Sequence, residues 1–121
     1  MSGLYKLLKP DFEFRDERGK LVQLVHAGYE QVNVLESYAG TLRGGHYHKE
    51  SREVFYVADG SVDVSFIRGE EREDRTFHSG EFFLIYPEVV HSMSFPEDCT
   101  LIAMYDKCVE RADGKKDIHP G

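Results

Sequence analysis

Short runs of alternating apolar and polar residues, separated by turn signals, make up most of this chain. In the clearest run, residues 61–67, apolar side chains alternate with polar or charged ones, which is the two-residue period of a half-buried β-strand. Asp59-Gly60 immediately before it is a typical hairpin turn. No segment of the sequence repeats its apolar residues at the helical period. The pattern therefore predicts an all-β sandwich or barrel.

Nine or ten such strands are predicted along the chain. They are expected at residues 12–14, 20–25, 30–35, 46–48, 53–57, 61–67, 76–78, 82–86, 91–95 and 100–105. The charged segment 68–75, Arg-Gly-Glu-Glu-Arg-Glu-Asp-Arg, is predicted to be a solvated loop.

Size and charge narrow the function classes. The 121 residues suffice for one domain and not for two, and a net charge of −7 argues against non-specific nucleic-acid binding. Cys99 and Cys108 have no CxxC spacing and are expected to be free thiols in a reducing compartment. The N-terminal sequence has no signal-peptide pattern, and no apolar stretch reaches the length of a membrane span. We therefore expect a cytoplasmic protein that acts on a small molecule and has no membrane partner.

Two histidines one residue apart, His46 and His48, follow a glycine-rich segment. On a strand both side chains point to the same face, with Cα atoms roughly 6.5–7 Å apart, so the two imidazoles can converge on one ion. Glu53 begins the next apolar run and can return to the same pocket, and His91 is a later candidate. Three imidazoles and one carboxylate suit a first-row divalent metal. An alternative stays open, since two histidines can also act as acid and base without a metal.

The spacing of these residues resembles the first sequence motif of the cupin superfamily. It runs Gly40, five residues, His46-x-His48, four residues, Glu53, six residues, Gly60. Every interval of that motif is matched.

A second cupin motif is present in a looser form, from Gly80 through Pro87 to His91. One extra residue precedes the proline, and the glycine usual between Pro87 and His91 is absent. The resemblance covers about residues 10–105 and implies a single-domain double-stranded β-helix, the cupin jelly roll. Residues 1–9 are then a lead-in that can form an exchanged dimer strand, and residues 106–121 a polar tail expected to be partly ordered at most.

Two segments carry a narrower resemblance, Asp16-Glu17-Arg18-Gly19 and residues 42–49, Leu-Arg-Gly-Gly-His-Tyr-His-Lys. Both look like the nucleotide-sugar branch of the cupins. That branch contains dTDP-4-keto-6-deoxyhexose 3,5-epimerases, 3,4-ketoisomerases and the cupin domains of capsule-sugar reductases. The resemblance implies a catalytic base at His46, two active-site histidines at His46 and His48, and a homodimer. The epimerases and ketoisomerases generally lack the full metal set, which the reductase-associated domains keep and which this chain retains at Glu53 and His91.

Isomerisation of a keto sugar begins with removal of a proton α to the ketone, for which a neutral imidazole is well suited. Arg43 can hold a diphosphate or balance the charge of the enolate. A phenol must then handle the proton on the opposite side, and Tyr56 and Tyr105 are the candidates. The candidate substrate-binding residues are Arg18, Arg43 and Lys49.

The sequence thus predicts a metal-binding cupin that isomerises or epimerises a keto-sugar nucleotide, with Zn, Ni, Mn or Fe as the ion. The predicted ligands are His46, His48, Glu53 and His91. If all three histidines bind the ion, none is free as a base, and Tyr56, Tyr105 or a metal-bound hydroxide must serve. Two alternatives stay open, a metal-dependent dioxygenase with the same four ligands and a non-catalytic sugar-binding or small-molecule-binding cupin.

Overall fold

The structure, a computed structural model, describes residues 3–110 and 112–121. Those residues form twelve strands, and among them no helix is long and apolar enough to cross a membrane. The all-β prediction is confirmed. The strands are β1 (Tyr5–Leu8), β2 (Phe12–Asp16), β3 (Gly19–Gln23), β4 (Gln31–Ser37), β5 (Leu42–Tyr47), β6 (Glu53–Asp59), β7 (Ser61–Arg68), β8 (Glu71–His78), β9 (Phe82–Ile85), β10 (Val90–Ser94), β11 (Cys99–Tyr105) and β12 (His119–Pro120).

Ten of these strands form two five-stranded antiparallel sheets. Sheet 1 has the order β1-β9-β6-β11-β4 and sheet 2 the order β12-β5-β10-β7-β8, while β2 and β3 form a separate hairpin. The main apolar core draws residues from both sheets, so the two sheets pack face to face. This arrangement is the jelly roll that the cupin resemblance implies.

The space between the sheets has an apolar half and a polar half. Near β1 and β8 it is filled by aromatic rings: Phe77 stacks on Phe83 with centroids 3.8 Å apart, and Tyr5 on Phe66 at 4.6 Å. Burial of each such side chain stabilises the fold by roughly 1.5–3 kcal/mol. At the other half, where β5, β6 and β10 meet, the buried side chains are His48, Glu53 and His91. The apolar half therefore supports a group of polar side chains that water does not reach.

The charged segment 68–75 is a strand and not the predicted loop. After a turn at Gly69, with φ of +61°, β8 pairs with β7 along its whole length. The Arg75 guanidinium lies 5.1 Å from the centre of the Phe77 ring, where a cation is attracted to the face of the ring. The prediction was wrong because charge was taken as a sign of a loop, whereas β8 is the edge strand of sheet 2, a place where charged residues discourage pairing with other chains.

The two ends of the chain pair with the barrel. At the N-terminus β1 pairs with β9 of the same chain, and Leu4 and Tyr5 are buried; an exchange of this strand between subunits stays a prediction. At the other end β12 pairs with β5, and the Gly121 N–H donates to the Gly45 carbonyl at 2.9 Å. Residues 112–121 thus contact the barrel through β12 and Gly121. That residues 106–121 are partly ordered at most stays a prediction.

Candidate metal centre and active site

Four predicted ligands meet between the sheets. His46 lies on β5, His48 directly after it, Glu53 at the start of β6 and His91 on β10. One nitrogen or oxygen from each residue lies within 4.8 Å of the other three. The structure thus brings together the complete set that the sequence spacing singled out.

A bulge in β5 sets the position of His46. The pairing of β10 with β5 shifts register between His91 and Ser92, so that His91 lies opposite His46 and Ser92 opposite Gly44. Gly44 has φ of +103°, and a Cβ there would stand 2.6 Å from the His91 carbonyl oxygen. Only glycine fits this close approach, and the glycine-rich segment before the histidines therefore has a structural purpose.

Hydrogen bonds to main-chain carbonyls assign the protons of two imidazoles. The His48 Nδ1 lies 2.6 Å from the Asp117 carbonyl oxygen, and the His91 Nδ1 lies 3.2 Å from that of Val89. A carbonyl only accepts, so each Nδ1 carries a proton and donates it. In the neutral rings both Nε2 atoms then present lone pairs. Histidines that bind a metal commonly donate their second nitrogen to a carbonyl in this way.

Both Nε2 atoms are directed at the same carboxylate. The Nε2 atoms of His48 and His91 lie 3.1 Å and 3.0 Å from Glu53 Oε1. The contact from His91 lacks hydrogen-bond geometry, and its buried Nε2 has no hydrogen-bond partner among the described residues. Electron-rich atoms this close need a cation between them, either protons or a metal ion. Their chemistry, imidazole nitrogen with carboxylate oxygen, fits a first-row divalent ion.

The ionisable groups around Glu53 are strongly coupled. Burial disfavours the charged form of Glu53, but the close contacts and charges of His48 and His91 outweigh it and lower the Glu53 pKa far below its usual range. Burial likewise opposes the charged form of His48, yet the bond to Glu53 and the Asp117 carbonyl raise its pKa. In Tyr105, burial together with the charge and hydrogen bond of Glu53 raises the pKa. Tyr105 therefore keeps its proton near neutral pH, which does not suit a base.

His46 differs from the other histidines of the site. It is half-buried, and among the described residues its ring has no hydrogen bond, lying 4.6 Å from the His91 ring and 5.3 Å from the His48 ring. Burial and the neighbouring His91 lower the His46 pKa to about 4. The imidazole is therefore neutral near pH 7, with a lone pair available for a metal ion or a proton.

Two predicted substrate-binding residues, Arg43 and Lys49, are exposed close to the histidines in the sequence. Arg43 is exposed on β5, where its guanidinium donates to the Ser37 hydroxyl at 2.8 Å and to the Glu36 carbonyl at 3.2 Å. Lys49 is exposed in the turn that follows His48. Arg43 and Lys49 thus come from the same strand and turn as the two histidines.

Two predicted residues do not lie at the centre. Tyr56 is on the outer face of sheet 1, its ring 6.1 Å from that of Phe82 in a second apolar cluster. It lies three residues after Glu53, and the alternation of a strand turns it away from the interior. A catalytic phenol at Tyr56 stays a prediction that the position of the four ligands does not support. Arg18 is at the tip of the β2–β3 hairpin, 81% exposed and paired with Asp16. It contacts none of the four ligands.

The missing glycine of the second motif has a visible consequence. Glu88 has φ of +71° and is the sole non-glycine residue with a positive φ in the described ranges. Its N–H donates to the His48 carbonyl at 2.7 Å, and the turn it forms directs the Val89 carbonyl at His91. Glu88 thus takes the left-handed conformation that a glycine would adopt without strain.

Asp117 is the contact that sequence reasoning missed. Its carbonyl receives the His48 Nδ1 proton from 69 residues away, and no spacing rule connects positions so distant. The only local sign is an acidic residue next to Ile118 and His119 in a polar segment, which is too common a pattern to indicate a site.

A scan against family models matches residues 14–95, more than half of the chain, to the polysaccharide biosynthesis C-terminal domain. The chain belongs to that family. No curated protein shows significant sequence similarity to it. The matched residues include all four candidate ligands, whereas Tyr105 and Asp117 lie beyond the match.

Solved structures show that this family member has the fold of the RmlC-like cupins. The 3,4-ketoisomerase QdtA from Thermoanaerobacterium thermosaccharolyticum, solved with TDP-4-keto-6-deoxyglucose, superposes with a TM-score of 0.79 at 20% identity, covering 88% of this chain and 83% of that one. The dTDP-4-dehydrorhamnose 3,5-epimerase from Sulfolobus tokodaii gives 0.72 at 21% identity, over 84% and 69%. The capsular polysaccharide assembling protein CapF from Staphylococcus aureus gives 0.68 at 20% identity, over 95% of this chain and 32% of that larger one.

Proposed function

We propose that this protein is an isomerase or epimerase of a keto-sugar nucleotide, with a divalent transition metal bound beside the base. The observation that carries the proposal is His46, a neutral, half-buried imidazole without a hydrogen bond among the described residues, next to a buried His48-Glu53-His91 set. The family and the sugar-nucleotide isomerases among the similar folds support the substrate class.

The buried side chains His48, Glu53 and His91 would hold the ion. Two imidazoles whose rings are anchored by carbonyls and one carboxylate are ligand types that suit a first-row divalent ion. When bound, the ion would act as a Lewis acid that polarises the ketone of the sugar. Tyr105 would keep Glu53 in place by donating its hydroxyl proton to the carboxylate.

His46 would be the base. Its neutral imidazole would accept the proton from the carbon next to the ketone, and the resulting imidazolium would return that proton to the same or a neighbouring carbon. We assign this role to His46 because His48 and His91 both have an Nδ1 anchored by a carbonyl, whereas His46 has none among the described residues. An unanchored ring can follow the proton between two positions.

Arg43 and Lys49 would bind the diphosphate. Both are cationic, exposed and on the same strand and turn as the histidines, and two of the Arg43 donors already fix the guanidinium against Ser37 and Glu36. A guanidinium held in this way still has N–H groups free for a phosphate oxygen. Arg18 is not assigned this role, because it lies at the tip of the β2–β3 hairpin and is paired with Asp16.

The test is deuterium incorporation into TDP-4-keto-6-deoxyglucose in D2O, followed by proton NMR of the positions beside the ketone. Protein loaded with Zn²⁺, Ni²⁺, Mn²⁺ or Fe²⁺ is expected to exchange these positions faster than buffer does. His46→Ala should lower the rate by about 10²–10⁴-fold, the usual contribution of a general base. The matched control is His78→Ala, an exposed histidine on β8, which should exchange at the wild-type rate. Exchange at the buffer rate with all four metals would refute the proposal.

A metal-dependent dioxygenase is the second candidate, and the observation that favours it is the proximity of the fourth ligand. His46 lies within 4.8 Å of the other three ligand atoms, so a three-histidine, one-glutamate set is within reach of one ion. In that arrangement His46 would bind the ion and would not act as a base. Oxygen consumption by the Fe²⁺ form, together with metal loss in His46→Ala, would support the dioxygenase and contradict the isomerase.

A further inference from the structure

The C-terminal segment reaches the metal centre through a single buried residue. Asp117 lies between an isolated bridge, Glu110 to Lys116, and strand β12. It is 6% exposed in a segment whose neighbours are mostly exposed, and its N–H donates to the Val109 carbonyl at 2.8 Å. A buried carboxylate in a polar tail requires compensating donors.

Those donors are three consecutive main-chain amides. Oδ1 of Asp117 accepts the N–H of Lys49 at 2.8 Å, and Oδ2 accepts those of Glu50 at 3.0 Å and Ser51 at 2.9 Å. The His119 Nε2 lies 3.2 Å from Oδ1. Charge-assisted bonds of this kind are roughly twice as strong as neutral ones. The three amides belong to the turn that joins His48 to the strand of Glu53, so the carboxylate fixes the connection between two candidate ligands.

The main-chain carbonyl of the same residue holds the His48 ring. It accepts the Nδ1 proton at 2.6 Å, which orients the ring so that Nε2 faces Glu53 Oε1 and makes Nε2 the nitrogen that carries the lone pair whenever the ring is neutral. One residue therefore fixes both the backbone that carries His48 and the orientation and proton of its imidazole.

We propose that Asp117 is a positioning residue that sets the metal affinity of the site. It is not one of the four candidate ligands, and it acts through His48 and the turn at residues 49–51. This inference rests on the metal centre of the proposed function. Partners that orient a ligating histidine typically contribute 10–100-fold in metal affinity.

The test compares Asp117→Asn with the wild type by competition for Zn²⁺ against a chromophoric chelator. Asparagine keeps the main-chain carbonyl but turns an NH2 group toward amide donors, so the turn is released. The expected result is Zn²⁺ affinity lowered by about 10–100-fold. The matched control is Asp113→Asn, an exposed aspartate of the same segment that accepts only from Lys115 among its described hydrogen bonds. Its affinity should stay within about twofold of the wild type.

A second readout separates positioning from general destabilisation. Proton–nitrogen NMR of the Zn²⁺-loaded protein should show a slowly exchanging Nδ1 proton on His48 in the wild type, and faster exchange of that proton in Asp117→Asn. If Asp117→Asn fails to fold, as judged by near-UV circular dichroism, His119→Ala replaces it. This milder variant removes one contact to Oδ1 and should lower the affinity by a few-fold.

The outcomes separate this inference from the proposed function. Unchanged Zn²⁺ affinity in Asp117→Asn, or in His119→Ala if that variant replaces it, would overturn the positioning role and leave the metal centre intact. Weaker binding with an equally protected His48 Nδ1 proton would also overturn it. A wild type that binds no divalent ion would instead refute the metal centre itself.

Discussion

His46 and His48 stand two residues apart on the same face of one chain segment, and their surroundings are opposite. His48 is 3% exposed, anchored at Nδ1 by a carbonyl and paired with Glu53 at Nε2. His46 is half-buried and, within the described residues, unbonded. The pKa of His48 is raised and that of His46 is lowered to about 4. Sequence spacing does not distinguish the two histidines. Contacts from distant parts of the chain give them different burial, hydrogen bonds and pKa values.

The largest expected effect separates the two histidines by metal content. His48→Ala removes an anchored ligand, and we expect it to lose the ion that the wild type binds at about one per chain. His46→Ala should retain the ion and lose deuterium exchange. Elemental mass spectrometry of protein purified without an affinity tag provides the measurement. Loss of the ion in both variants would show that both histidines are ligands and would contradict the assignment of His46 as a base.

The second prediction uses the opposite pKa shifts in metal-free protein. Because the His46 pKa is lowered from 6.5 to about 4, burial first and His91 second, the unfolded chain binds that proton more readily, and stability falls as pH drops from 7 toward 4. Because the His48 pKa is raised, its contribution is complete below pH 6.5 and is lost as pH rises through the folded-state value.

Urea unfolding of EDTA-treated protein between pH 5 and 8 measures this difference. Relative to His46→Gln, the wild type should lose stability toward low pH. Relative to His48→Gln, it should lose stability toward high pH. One proton can contribute at most about 1.4 kcal/mol per pH unit. Slopes of the same sign in both comparisons would contradict the assignment.

The smallest expected effect concerns the third histidine. Glu88 is exposed and left-handed next to the turn that holds His91, and a non-glycine residue in this conformation costs about 1–2 kcal/mol. Glu88→Gly should therefore raise the free energy of unfolding by about 0.5–1 kcal/mol, after the greater flexibility of glycine in the unfolded chain is subtracted. Metal content should stay unchanged. The control is Glu70→Gly, at an exposed turn position without a positive φ, which should not raise the free energy of unfolding. An equal increase in both variants would show that the positive φ of Glu88 costs little.

The sequence could predict the parts of the site that depend on local rules. Alternation identified the inward face of β7, and the motif spacing identified His46, His48, Glu53 and His91, because strand geometry converts short spacings into directions. The same parity rule places Tyr56, an odd number of positions from Glu53, on the opposite face of the strand. Tyr56 was chosen as a candidate because it carries a phenol, without regard to the direction of its side chain.

The remaining features depend on contacts between distant positions. Strand β8 was missed because its charged residues have partners outside the strand, such as the Tyr5 hydroxyl of β1, 3.4 Å from Arg75. Asp117 was missed because three main-chain amides hold its buried carboxylate. A polar residue buried in this way produces no pattern of apolar residues in the sequence. In both cases the stabilising partner lies more than 60 residues away, beyond any periodicity of the sequence.

The contact between Asp117 and His48 also orders events in time. The two residues are 69 positions apart, and synthesis at about 5–20 residues per second separates their appearance by roughly 3–14 seconds. During that interval a nascent chain can pair β5 with β10 and yet leave the His48 ring without its carbonyl partner. The ligand set therefore reaches its final arrangement only after the ribosome has finished this segment, and an ion bound at the proposed centre would load late in the maturation of the protein.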